Sequence, residues 1–405
     1  MRPSITQKNE RLDIVSAFES YGEYSKGHID DSTRESIVKN ACDKKCGSCS
    51  GMYTANTMAC LIEVMGLMVP NGSSNLSLSD EKMHECAIAG TYLNRLIEND
   101  TKPLDILTKE SFNNAIKMLY CMGGSTNAVI HLLSIAHSAK IKLTLDDFIK
   151  YEDTPVLANM KPIGDFVMKD LNTIGGTSKV IKYLVEENIL DGTCMTITGK
   201  SLWDNVKHLT GLNGQHVIRQ TKNPVKDKSH IKILKGNLSP EGSVAKISKS
   251  DNVFSGKAIV FNSEQDMLDA LNDHKITPEH FVVIRYQGES IGCPEMLSPT
   301  SAIIGYFGKE NKLPPLATDG RFSGGSHGIL VAHLPDAYKN GSITSVIQDN
   351  DVISINIKEN RIHLHVNSDI IELRKSTVEK PTLDIGGSLE KYSKLVKDIR
   401  FGYCT

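Results

Sequence analysis

No stretch of the chain runs for about eighteen apolar residues without a break, the length a helix needs to cross a bilayer. The opening MRPSITQKNERLD also has no apolar core of the kind a signal peptide carries. The sequence therefore predicts neither a membrane span nor secretion. A basic excess is missing as well: 46 Lys and Arg face 48 Asp and Glu, for a formal net charge of -2, whereas nucleic-acid binding usually needs a positive field. A disulfide framework is absent too, since the 9 cysteines are odd in number and follow no repeating spacing. They predict a reducing compartment and, for Cys60, Cys86 and Cys121 in apolar helix-like text, plain packing. No internal repeat or low-complexity tract is visible.

What is present is ample apolar material: 405 residues, 40% hydrophobic, are enough to bury more than one core. From Leu12 to about Ile218 the text reads as amphipathic helices joined by Gly/Ser-rich loops. Met83, Cys86, Ala87, Gly90, Leu93 and Ile97 mark one helical face behind Ser79 as N-cap, and Thr144 with Asp147 spells a capping box. Beyond GLNGQHVIRQTKNPVK the text turns to short β-rich runs, KAIVF, FVVIRY, GILVA, ISINI and RIHLHV. The last two alternate and are expected to form a hairpin through Lys358, Glu359 and Asn360. This predicts an α/β chain with a boundary near residue 215: a helix-rich part over 1–215 and a β-rich barrel or sandwich over 216–405.

Three constellations carry candidate chemistry. In ACDKKCGSCSGMYTANTMA, Cys42, Cys46 and Cys49 lie just ahead of a helix whose N-terminus should lower thiol pKa values. No second Cys/His pair completes a zinc site, so an iron-sulfur ligand competes evenly with a buried polar loop. In VVIRYQGESIGCPEMLSPTSAIIGYF, Glu289 and Glu295 sit in a loop suited to a hard cation, although solvated loop charges are the stronger expectation from spacing alone. In LATDGRFSGGSHGILVAHLPDA, Arg321, Ser323 and dense glycines interrupt an apolar run without the lysine of a Walker loop, which favours an anion-binding or base-bearing loop over a plain turn. GGSTN, with Ser125, Thr126 and Asn127, and PNGSSN, with Ser73 and Ser74, are further substrate-loop candidates or helix caps. His131 and His137 read as packing or surface histidines.

Together GSCSGMYTANTMA, ILTKESFNNAI, GGSTNAVIHLLSIAH, ILKGNLSPEGSVAKI, RYQGESIGCPEMLSPTSAIIG and TDGRFSGGSHG closely resemble the dihydroxy-acid and sugar-acid dehydratase family, in order from about Leu12 to the end. The resemblance implies a hydro-lyase that converts a 2,3-dihydroxy acid to a 2-keto acid in valine and isoleucine synthesis. It also implies a 2Fe-2S cluster, with 4Fe-4S as the alternative, together with Mg2+. Carried over by motif, Cys49 matches a cluster cysteine, Glu295 a magnesium ligand and Ser323 the base that takes the C2 proton. Arg321 is a candidate carboxylate clamp by proximity. The resemblance further implies a homodimer in the cytoplasm, or in a mitochondrion or plastid, and a C-terminal barrel-like domain that swivels over the cluster. The family's two other cluster cysteines and its magnesium-binding Asp and Lys have no match, so the chain is expected to lack an N-terminal segment; Cys42, Asp43 and Lys44 imitate that motif by accident. Gln287 stands where the family has Glu, and the loop before Glu295 is slightly short. The alternatives are an aldonate dehydratase and an inactive fragment or partner subunit.

Overall fold

The computed structural model describes residues 4–5, 11–42, 49–248, 253–309, 311–322 and 324–405. It divides into two compact units: one takes in 1–13, 40–128 and 135–230, the other 14–39, 129–134 and 231–405.

The first unit is helical. Its longest helix, Asp80–Glu98, starts where Ser79 accepts a hydrogen bond from the Lys82 N–H, and Thr144 and Asp147 close the expected capping box on Leu145–Lys150. The face Met83–Ile97, however, does not pack: no residue of that helix is buried, and Met83, Leu93 and Ile97 are 61%, 58% and 69% exposed. Cys86 lies exposed on it, whereas Cys60 and Cys121 are buried. Periodicity predicts which residues share a face; it does not supply a partner for that face. The core of this unit is built elsewhere, from Leu61, Phe112, Ile116, Leu119, Phe148 and Leu184.

The second unit holds a closed, mixed barrel, which decides between the barrel and the sandwich. Its strands are β1 (Ile231–Gly236), β2 (Ser239–Ile247), β3 (Val253–Phe261), β4 (His280–Ile284), β6 (Leu316–Thr318), β8 (Ile329–Ala332), β9 (Val352–Asn356) and β10 (Arg361–Leu364), in the order β8-β2-β1-β10-β9-β3-β4-β6. Between them, β5 (Glu295–Met296) and β7 (Arg321–Phe322) form a separate two-stranded parallel sheet. Two strand texts show how the barrel sorts its side chains. FVVI in β4 is continuously apolar because both faces are covered: Phe281 and Val283 join the cluster with Val331 and Ile353, while Val282 and Ile284 pack with Met267 and Ala302. In β9 and β10, by contrast, only Ile353, Ile355, Ile362 and Leu364 are buried, as alternation demands. Their connection is one residue longer than expected: Asn356 pairs with Arg361, so Ile357 joins the turn, and the Asn356 side chain accepts from the Lys358 and Glu359 N–H groups.

Helix Ile14–Ser25 completes this unit by lying against helix Ser298–Phe307 at close range. A Cβ on Gly22 would stand 2.0 Å from the Ala302 carbonyl oxygen, and one on Gly305 would stand 1.9 Å from the Glu19 carbonyl oxygen. Each helix thus needs glycine where its neighbour's backbone crosses. Among the described residues no helix is long and apolar enough to cross a membrane.

The glycine crossing yields a pair of opposite expectations. Gly22→Ala should destabilise by about 1–3 kcal/mol or more, because both obstructing groups are backbone. Gly90→Ala, in open space within Asp80–Glu98, should stabilise by about 1 kcal/mol. Urea unfolding of both variants checks this; equal midpoints would remove the close approach from the account.

Candidate functional site

Candidate residues lie in each unit, and each group is described within its own unit. In the first, the stretch after Cys49 is tied to GGSTN by short polar side chains. Asn56 Nδ2 donates to the carbonyls of Cys49 at 2.8 Å and Gly51 at 2.6 Å. Thr54 Oγ1 lies 3.0 Å from Ser125 Oγ and accepts from Asn127 Nδ2 at 2.9 Å, and the Ser125 N–H donates to Thr57 Oγ1 at 3.0 Å. Gly124 allows this closeness, since a Cβ there would be 2.7 Å from both Leu119 Cδ1 and Thr57 Cγ2. Ser125, Thr126 and Asn127 are therefore buried and brought together with the Cys49 segment, while Cys46, Asp43 and Lys44 lie outside the described residues. Cys49 itself corrects an expectation. Burial pushes its thiol pKa up, with a further rise from Cys42, and the following helix begins only at Thr54.

PNGSSN proves to be a structural loop. Glu63, buried in the first unit, accepts from the N–H groups of Asn71 and Ser73 and from the hydroxyls of Ser73 and Ser178. Burial raises its pKa, and these donors oppose the rise. Asn71 and Ser73 serve that carboxyl group, whereas the Ser74 hydroxyl donates to Asn71 Oδ1 and accepts from the Thr177 N–H, and Asn75 donates to Glu85.

The second unit brings the other two constellations side by side. Through β5 and β7, Glu295 and Arg321 are register partners. Arg321 Nε donates to the Cys293 carbonyl at 2.8 Å, which orients the guanidinium. Ser323, two positions beyond Arg321, lies outside the described residues. Glu295 is exposed, but Glu289 is buried and paired with Lys339, so the expectation of a solvated charge fails for Glu289. Burial pushes the Glu289 carboxyl up, and the nearby Asp336 adds to the rise.

Asp319, fully buried, organises these loops. Its Oδ2 accepts from the N–H groups of Tyr286 at 3.0 Å and Ala337 at 2.9 Å, and its Oδ1 accepts from Gln287 at 2.8 Å. Burial still pushes its pKa up to about 7. His333 stands next to this hub. Its N–H donates to the Gly320 carbonyl at 2.9 Å, and its Nδ1 lies 2.9 Å from the Tyr403 hydroxyl and 3.8 Å from Cys293 Sγ. Burial, with the charges of Arg321 and His131, holds its pKa down at about 3, so the ring is neutral. Tyr286, Cys293, His333 and Tyr403 all have left-handed backbones, with φ of 65°, 49°, 63° and 60°. Non-glycine residues in that region cost energy and concentrate where function demands the geometry.

His333 and Tyr403 were not singled out as site residues in the sequence. His333 merely ends the apolar run GILVAH, and Tyr403 is far away in the chain; no spacing links them. A cavity of about 710 Å³ in the first unit, lined by Tyr183, Gln215, His216, Arg219 and Lys222 among others, contains none of the candidate residues.

Comparison with known proteins points in one direction. The family model described as dihydroxy-acid/6-phosphogluconate dehydratase N-terminal matches residues 1–205, and its C-terminal counterpart matches residues 216–403. A protein named dihydroxy-acid dehydratase from Flavobacterium psychrophilum is 46% identical over 98% of this chain and 72% of its own length. The mitochondrial dihydroxy-acid dehydratase of Schizosaccharomyces pombe is 46% identical over 98% of this chain and 68% of its own. The chloroplastic one of Arabidopsis thaliana is 45% identical over 98% and 66%.

Two measurements follow from the hub. Asp319→Asn turns an amide N–H toward backbone donors and should cost about 1–3 kcal/mol of stability, read as a lower unfolding midpoint; an unchanged midpoint would deny the hub its role. For His333, the unfolded ring takes up a proton below its ordinary pKa of 6.5, whereas the folded ring does so only near 3. Its contribution is thus complete above about pH 6.5 and lost as pH falls, by up to about 1.4 kcal/mol per pH unit. Asp319 and Glu289, with raised pKa values, act in the opposite sense, so the quantity to measure is the difference between wild type and His333→Asn. Wild type should lose stability relative to the variant between pH 6.5 and 4, and parallel curves would contradict the assignment.

Proposed function

Because the chain belongs to the dihydroxy-acid/6-phosphogluconate dehydratase family, we propose that it is a hydro-lyase that removes water from a 2,3-dihydroxy acid to give a 2-keto acid. The observation that carries this reading is identity of about 45% along nearly the whole chain to proteins named dihydroxy-acid dehydratase. The reaction belongs to branched-chain amino-acid biosynthesis. Its chemistry requires loss of the C2 proton and departure of the C3 hydroxyl as water; the resulting enol then takes a proton at C3 to become the ketone.

Within that reaction, Arg321 is the carboxylate clamp. Its Nε is committed to the Cys293 carbonyl, which leaves the forked end of the guanidinium for a bidentate pair with a carboxylate. Ser323 is the base for the C2 proton. This role rests on the resemblance of GRFSGG and on its place two residues beyond Arg321, whose strand lies in register with Glu295. Ser125, Thr126 and Asn127 offer hydroxyl and amide groups to the substrate's oxygens.

The cofactors are a 2Fe-2S cluster and Mg2+. Among the described residues no three His, Cys, Asp or Glu side chains converge as a metal site. Cys49 supplies one thiolate and Glu295 one carboxylate, and the described residues complete neither site. When bound, such cations supply Lewis acidity at the leaving hydroxyl and charge stabilisation at the carboxylate. The active form is a homodimer, and it works in the cytoplasm or, in a eukaryote, in a mitochondrion or plastid, as the names of two relatives have it.

Turnover of a branched 2,3-dihydroxy acid, followed as 2-keto acid formed, tests the reading; turnover of aldonates alone would transfer the chain to sugar-acid chemistry. Ser323→Ala should lower turnover by roughly 10²- to 10⁴-fold with little change in substrate affinity. Ser326→Ala, which removes the same atom from the same loop, is the control. Equal losses in the two variants would take the base role away from Ser323.

A further inference from the structure

Several buried polar atoms of the second unit lack a partner among the described residues, Ser301 Oγ, Thr344 Oγ1 and His363 Nδ1 among them; His333 Nε2 is the one whose residue is bonded to Gly320, next to Arg321. The side chain is 2% exposed, and Nε2 has no hydrogen-bond partner among the described residues. Leaving a buried donor unmet costs about 1–3 kcal/mol, yet the ring is held firmly by its other nitrogen. The proton can be placed by elimination. Tyr403 is buried, and its hydroxyl lies 2.9 Å from His333 Nδ1. If the hydroxyl donates there, only one group goes unmet, the Nε2–H. If instead Nδ1–H donates to the tyrosine oxygen, both the hydroxyl proton and the Nε2 lone pair are stranded. The first arrangement is the cheaper one, and it fixes the Nε2–H tautomer.

The surroundings suit a donor aimed at an anion. The His333 N–H is bonded to Gly320, the residue before Arg321, and Arg321 is bonded to Cys293, whose sulfur lies beside the same imidazole. The positive charge of Arg321 acts on the ring. The C-terminal segment that carries Tyr403 is itself anchored. Gly402, at φ 65°, would place a Cβ 2.3 Å from the Ser134 nitrogen and 2.4 Å from the Ile130 carbonyl oxygen, so it packs directly on the helical turn that bears His131.

We propose that His333 Nε2–H is a substrate-binding hydrogen-bond donor to a carboxylate or enolate oxygen of the acid that Arg321 clamps, and that Tyr403 is the positioning residue that sets its tautomer. The assignment rests on the dehydratase reading for the identity of the acid, and on the geometry of the second unit for the donor.

Two substitutions separate a donor from a structural prop. Asparagine tolerates the left-handed backbone at His333 and reaches as far as Nδ1, so His333→Asn keeps the Tyr403 contact and deletes the donor. Glutamine carries an amide N–H to the Nε2 position and gives up the Tyr403 contact. The proposal expects kcat/KM for the dihydroxy acid to fall roughly 10- to 100-fold in His333→Asn, as for one hydrogen bond to a charged oxygen, and by less in His333→Gln. A prop for Tyr403 would reverse that order and overturn the proposal. Tyr403→Phe should lower kcat/KM while introducing the Nδ1–H tautomer, visible in the ring ¹⁵N shifts of His333. Independently of turnover, adding a branched 2-keto acid to the wild-type chain should shift the His333 Nε2 resonance. No shift in a chain that turns over normally overturns the donor role. A shift in a chain that turns over no dihydroxy acid keeps the donor and overturns the dehydratase reading.

Discussion

A buried carboxyl group that accepts backbone N–H bonds from separate segments fixes the second unit's candidate site. Asp319 opens the GRFSGG segment and binds the N–H groups of Tyr286 and Gln287, which open the segment with Glu289 and Glu295, and of Ala337, which follows His333. With no water available to such a group, each of these bonds is needed to keep the carboxyl group inside. None of the three segments can move without stranding a buried acceptor or an amide donor. The first unit repeats the device with different residues, since Glu63 gathers Asn71, Ser73 and Ser178 in the same way. In both units polar loops are shaped from within by one acidic side chain.

That constraint accompanies backbone strain at the second unit's candidate site. Tyr286 is bonded to Asp319, His333 is bonded to Gly320, and Cys293 presents its carbonyl to Arg321. Each has a left-handed φ without being glycine. Strain of this kind persists only where surrounding contacts over-determine the geometry, and here those contacts converge on the guanidinium of Arg321 and the imidazole of His333. The neutral state of the imidazole follows from the same burial. An electrically neutral donor beside a guanidinium can approach an anion without repelling its neighbour.

Much of this was legible in the sequence, for reasons that can be stated residue by residue. The Ser79 cap, the Thr144–Asp147 box and the alternation of ISINI and RIHLHV are local properties, and they reappear in the structure. From local pattern alone the closed barrel was legible only as one of two β-rich options, because closure depends on pairings such as β1 with β10 that no local pattern encodes; it was the family resemblance that implied a barrel. The Met83–Ile97 stripe predicted a helix correctly and a packed face wrongly. Glu289 looked like a solvated charge because its partner Lys339 lies fifty positions away. His333 and Tyr403 were illegible as a pair for the same reason. The helix that follows Cys49 suggests a lowered pKa, whereas burial, which no local pattern shows, pushes it up.

The account holds that a base takes the C2 proton, the C3 hydroxyl leaves as water, and the enol is reprotonated at C3. Turnover of a branched 2,3-dihydroxy acid in deuterium oxide tests that sequence most directly, with the 2-keto acid examined by proton NMR. The account predicts one solvent deuteron at C3 of the product and none of the original C2 hydrogen. A product that retains the C2 hydrogen at C3 would show migration in place of base-assisted elimination and would contradict the account.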